Sequence, residues 1–114
     1  MKSLAQAKRI PYFIYYATSQ YKGRAAIKIG ISAAPWRRVK TIGDAIGHEV
    51  VLLASYSVAN KTQAAQVERR IHNTYREYSL GHEWFEPASE ILEEIDRLGP
   101  DDSREITADR IHRI

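Results

Sequence analysis

Apolar positions along the chain switch between period two and a helical period, and the switches mark the elements. Residues 10–17, IPYFIYYA, are rich in Ile, Tyr and Phe and predict a strand, with Pro11 at its first position or on an edge. Residues 18–24, TSQYKGR, predict a polar loop of about seven residues with Gly23 as its turn residue. A second strand follows over 25–32, AAIKIGIS, so the pair predicts an antiparallel hairpin. Ser32 as a cap and Pro35 in a first turn start a helix, whose Val39, Ile42 and Ile46 recur at helical spacing. Residues 49–59, EVVLLASYSVA, are apolar on both faces, which predicts a central strand.

Asn60 caps the longest predicted helix, 61–78, with Gln63 at the reciprocal position and Ala64, Val67, Ile71, Tyr75 and Tyr78 as its core stripe. GHEWFEP, 81–87, reads as a loop entering a short extended piece. A last helix over 88–98 turns Ile91, Leu92, Ile95 and Leu98 inward and stops at Gly99 and Pro100. The expected fold is α+β: a small, mostly antiparallel three-stranded sheet flanked by helices. It occupies residues 10–99, between a lead, 1–9, and a charged tail, 100–114, that is either disordered or a short docked helix.

Composition narrows the function classes. Cysteine is absent from the 114 residues, which excludes disulfides and thiolate metal sites and fits a reducing, cytoplasmic setting. No apolar run approaches ~18 residues, so no membrane span is expected. The opening MKSLAQAKRI is too short and too polar for a signal peptide. A formal net charge of +3 tilts the choice of partner toward a polyanion.

The candidate chemistry begins inside the second strand. Ile27, Ile29 and Ile31 share one face, Lys28 and Gly30 the other. On pattern alone Lys28 is a solvated cation on an open sheet face. Gly30 leaves room there for a close approach. Arg37 and Arg38 follow in the first turns of the next helix, and an Arg fork suits phosphate. Glu68 and His72 lie four apart on one ridge beside Val67 and Ile71, as a surface pair or as a carboxylate placed to bind Mg²⁺ with His72 beside it. The four histidines show no zinc spacing.

Taken in order, YFI, IKIGIS, PWRRV, ERRIH and GHEWFE resemble the GIY-YIG nuclease superfamily over roughly residues 10–86, in particular its compact K-I-G branch of phage-type DNA-binding and meiotically up-regulated domains. The resemblance implies a GIY-YIG-like fold and a metal-dependent endonuclease that hydrolyses DNA phosphodiester bonds. It assigns Tyr12 to the first signature, Lys28 and Gly30 to the second, and Arg38 to P-x-x-R. Glu68 becomes the ligand of Mg²⁺ or Mn²⁺, His72 the branch histidine and Glu83 the acid of E-W-F. The Gly of the first signature is missing, and Tyr15 is the alternative to Tyr12, on the other strand face.

The roles follow. Tyr12 would accept the proton from water, its phenol pKa lowered by Lys28, or Lys28 itself would accept it. Arg38 would stabilise developing charge, and His72 would shuttle a proton or hold a phosphate. Gly30, Arg37, Arg69 and Trp84 are the substrate-binding candidates. For Trp84 and Phe85, base stacking stands against the expectation that at least one is core. The cations of the long helix, Lys61, Arg69, Arg70 and Arg76, also read as a solvated face. A homodimer or a partner would supply sequence specificity. Two other classes fit the residues: a non-catalytic DNA-binding module of the same fold, and a small protein-interaction domain.

Overall fold

The structure, a computed structural model, describes residues 10–99. The lead and the tail read from the sequence lie outside the described residues. Five strands and three helices follow one another as β1 (Tyr12–Tyr21), β2 (Arg24–Ser32), α1 (Pro35–Ile46), β3 (Val51–Val58), α2 (Lys61–Thr74), β4 (Ser79–Gly81), β5 (Trp84–Phe85) and α3 (Ser89–Leu98). A 3-10 turn, Arg76–Tyr78, ends the segment expected to be all α-helix. The sheet is antiparallel in the order β3-β1-β2-β5-β4. The α+β class and the antiparallel sheet stand, with five strands in place of three.

The hairpin is tighter than its composition suggested. β1 runs on through Tyr21, and only Lys22 and Gly23 turn the chain, with φ of 53° and 78°. Two successive positive φ values match the right-handed twist of the flanking strands, and Gly23 adopts its value without strain. This turn sets the register: Tyr21 opposes Arg24, and counting back puts Tyr15 opposite Gly30 and Ala17 opposite Lys28.

Alternation along β1 and β2 then feeds two cores. Ile14, Tyr16, Ile27 and Ile29 face α2 and α3, packing with Ala64, Tyr75 and Ile91. Tyr15, Ala17 and Ala26 face α1 and meet Val39 and Ile42. Helices therefore cover both faces, which corrects two expectations. Lys28 lies on no open face; it is only 8% exposed. β3 is an edge strand, since a sheet covered on both sides makes even its edge apolar on two faces. On α3, Ile91 and Ile95 point inward four residues apart, whereas Leu92 and Leu98, expected inside, are 44% and 36% exposed.

The cap of α2 formed as read. The Asn60 side chain accepts from the Gln63 amide at 2.9 Å, and Gln63 accepts from the Ala59 amide at 2.9 Å.

Candidate active site at the free end of β2

β2 pairs with the two-residue β5 only through Ile27 and Lys28. Just past that point the strand edge is finished by other groups. The Ile29 amide donates to the Glu83 carbonyl at 3.0 Å. The Ile29 carbonyl accepts from His72 Nε2 at 2.9 Å. A carbonyl can only accept, so Nε2 carries the proton and the tautomer is fixed. The His72 ring also leans on Phe85, 5.1 Å between centroids. His72 is thus a clamp between α2 and β2, and the expected shuttle role gives way to a positioning one.

The turn between β4 and β5 consists of His82 and Glu83, at φ of 52° and 69°. Neither is Gly, so each costs roughly 1–2 kcal/mol in this left-handed region. Lys28 holds the turn there. Its Nζ donates to the His82 carbonyl at 3.0 Å and pairs with Glu83 at 3.2 Å, over the Trp84 ring at 5.5 Å. The lysine that interrupts the Ile run is therefore the anchor of a strained turn that carries a carboxylate. Strain held in place by surrounding structure is common where a side chain must be aimed.

Tyr15 and Gly30 form the next layer. A Cβ on Gly30 would come within 2.7 Å of the Tyr15 hydroxyl and 2.8 Å of its Cζ. The close approach that Gly30 permits is made by this ring, where contact with substrate was expected. The ring is 1% exposed, and its phenol lies close enough to the Arg38 guanidinium to feel its charge. Burial first, then the charge of Glu83, pushes the phenol up to about 12; Arg38 pulls the other way and Glu68 adds to the rise.

Glu68 reaches the same place from α2. Its Oε2 is buried with no hydrogen-bond partner. Burial and the neighbouring Glu83 push its carboxyl from 4.5 up to about 7, against a smaller downward pull from Lys28. Glu68, Glu83, Lys28, Tyr15 and Arg38 are accordingly one electrostatic unit, assembled from both faces of the sheet around its edge. Beside it opens a groove of about 320 Å³ lined by Tyr12, Tyr15, Ser32, Arg38, Lys61 and Glu83.

Of the expected residues, Lys28, Arg38 and Glu68 come together. Tyr12 also lines the groove, while packing on the α2–α3 core, on the face opposite Lys28. Tyr15 is the tyrosine on the Lys28 face, and the cation that acts on its phenol is Arg38, not Lys28. Arg37 lies over Trp36 outside the groove, 5.1 Å from the ring centroid. Arg69 is exposed on α2 and is not part of the lining. Trp84 is 3% exposed and stacked on Tyr21 at 5.1 Å, so it offers no face to a base. Glu83 and Lys61 join the site. Glu83 carried a motif match but no role, and Lys61 was read as a surface cation.

Among the described residues, no three His, Cys, Asp or Glu side chains gather as a metal cage. No helix among them is long and apolar enough to cross a membrane. No curated protein and no solved structure matches the chain. The family model that matches is that of the T5orf172 domain, over residues 12–98. This match corrects the GIY-YIG assignment made from the motifs, and the roles carried over with it, that of Tyr12 first, must stand on geometry alone. With most of its length covered, the chain belongs to the T5orf172 domain family.

Proposed function

We propose that the protein is a divalent-metal-dependent endonuclease acting on DNA, with its site at the free end of β2. Membership of the T5orf172 domain family is consistent with a DNA-binding or nuclease-like role. The observation that carries the finer reading is the buried, unpartnered Oε2 of Glu68 beside Glu83 and next to an arginine-lined groove. A carboxylate that is costly to ionise, next to a second carboxylate, is a poor surface for DNA unless a cation neutralises it.

These residues fit a hard divalent ion. Glu68 would hold Mg²⁺ or Mn²⁺, Glu83 would be the second carboxylate, and water would complete the shell, as such ions prefer. Bound there, the ion supplies Lewis-acid polarisation of a phosphate oxygen.

The chain's own residues do the rest. Arg38 presents a planar fork at the groove and holds the phosphate as negative charge develops on it. Lys61, on the groove wall, adds positive charge for the flanking backbone. Tyr15, beside Arg38, is the candidate proton acceptor. Its phenol is high because of burial and two carboxylates, so neutralising Glu68 and Glu83 removes two of the influences that keep the proton on. Lys28 holds Glu83 in place, and His72 holds β2 against α2.

A non-catalytic DNA-binding module is the second reading, favoured by the buried, protonated Tyr15. Incubation with plasmid and oligonucleotide DNA in Mg²⁺, Mn²⁺ or EDTA separates the two. Cleavage that needs the ion supports the nuclease; binding without cleavage supports the module.

A further inference from the structure

A second and larger groove, about 640 Å³, lies along α1 and the approach to β3. Its walls include Trp36, Val39, Gly43 and Val50, and its polar lining is Lys40, Asp44, His48 and Glu49, with Lys40 paired to Asp44. Trp36 is 36% exposed and belongs to neither core. The Arg37 guanidinium lies over its ring at 5.1 Å. Arg38, two residues on in the same helix, lines the Tyr15 groove. The two grooves therefore flank the first turns of α1, on a helix only about 10–12 Å across with its side chains.

Charge marks the path between them. Ion pairs among the described residues occupy Arg24, Lys28 and Lys40. Arg37, Arg38 and Lys61 make none of these ion pairs; Arg37 and Arg38 lie on the first turns of α1, between the grooves, and Lys61 lines the Tyr15 groove. An aromatic face flanked by such cations suits a polynucleotide, whose phosphates meet the charge and whose bases offer a flat π surface.

We propose that Trp36, with Arg37 beside it, stacks an unpaired base of the DNA strand whose phosphate Arg38 holds, and that the groove along α1 receives that base. The DNA partner rests on the function proposed above; the new element is a preference for unpaired bases next to the site. In a duplex the bases are already stacked on one another and cannot reach Trp36. Single strands, gaps, flaps and junctions can.

Anisotropy titrations of the full chain in EDTA, with three labelled DNAs of one length, test this: a single strand, the same strand with abasic positions, and a perfect duplex. Trp36→Ala is expected to weaken single-strand binding about tenfold, the loss of one stacked base. Duplex and abasic binding should change by less than about twofold, since phosphate contacts remain. Trp36→Tyr, which keeps a stacking ring, should recover most of the affinity. Unquenched Trp emission on single-strand binding, an equal loss on abasic and base-bearing strands, or no loss at all would overturn the stacking site. If the variant still binds and wild type still cuts, only this inference falls. If wild type binds no DNA in any form and its α1 groove takes up peptide instead, the proposed function falls with it.

Discussion

Replacing Gly30 by Ala isolates the contact on which the site is built. Gly30 does not have a positive φ, so Ala alone would cost no backbone strain and would favour the fold by ~0.4–1 kcal/mol through the unfolded chain. The new methyl, however, would lie 2.7–2.9 Å from the Tyr15 hydroxyl, Cζ and Cε2. A free side-chain end would move aside. This one is a ring 1% exposed and packed with α1, so relief must come from shifting the strand or the ring's neighbours. Overpacking of this kind costs about 1–3 kcal/mol. The net expectation is a loss of ~1–2 kcal/mol, read as a fall of about 1 M in the urea midpoint. The double-mutant cycle is the sharper assay. Tyr15→Leu removes the three clashing atoms because a Leu side chain ends before them. In that background Gly30→Ala should be neutral or slightly stabilising, giving a coupling of at least about 1 kcal/mol. Equal losses in both backgrounds, or no loss in either, would refute the packing argument and with it the place of Tyr15 in the site.

Three further outcomes follow from the geometry. The folded pKa of Glu68, about 7, lies above its ordinary 4.5, so the protonated acid favours the fold; its stabilisation is full below pH 4.5 and is lost as pH rises through 7. In EDTA, wild type should therefore lose stability relative to Glu68→Gln between those pH values and match it below them, and parallel urea midpoints at both pH ends would contradict the shift. Lys28→Met should release the His82–Glu83 turn and speed hydrogen exchange at the Ile29 amide by roughly tenfold, the loss of about 1.5 kcal/mol of charged hydrogen bonding; unchanged exchange would mean the turn holds itself. Asn60→Ala should cost about 1 kcal/mol of stability, measured by thermal or urea unfolding, because the Gln63 amide loses its acceptor.

Much of the fold could be read from the chain because its punctuation is local. Pro35 with Val39 and Ile42 marks α1, and Asn60 with Gln63 marks α2. The length of one turn is hidden in the composition. With 18–24 as a polar loop the strand register stays open, and only the motif points to Tyr12. A two-residue Lys22–Gly23 turn would have placed Tyr15 against Gly30 by counting alone. The position of β3 was hidden for a different reason: apolar character on both faces reports coverage by helices, which edge and centre share here. β4 has three residues, too few to show a period. Glu83 owes its role to a turn at positive φ and to Lys28, and neither leaves a pattern in the residues around it.

Glu68 separates a metal-dependent nuclease from a DNA-binding module most directly. Cleavage rate in Mg²⁺ and DNA affinity in Ca²⁺ should be measured side by side for wild type and Glu68→Gln, a variant that keeps the shape and removes the charge. The expected result is metal-dependent cleavage by wild type, loss of it in the variant, and affinity unchanged or tighter, because a negative charge has left a phosphate-facing surface. Cleavage that survives in Glu68→Gln, or wild-type protein that binds DNA and cuts nothing in Mg²⁺ or Mn²⁺, would contradict it.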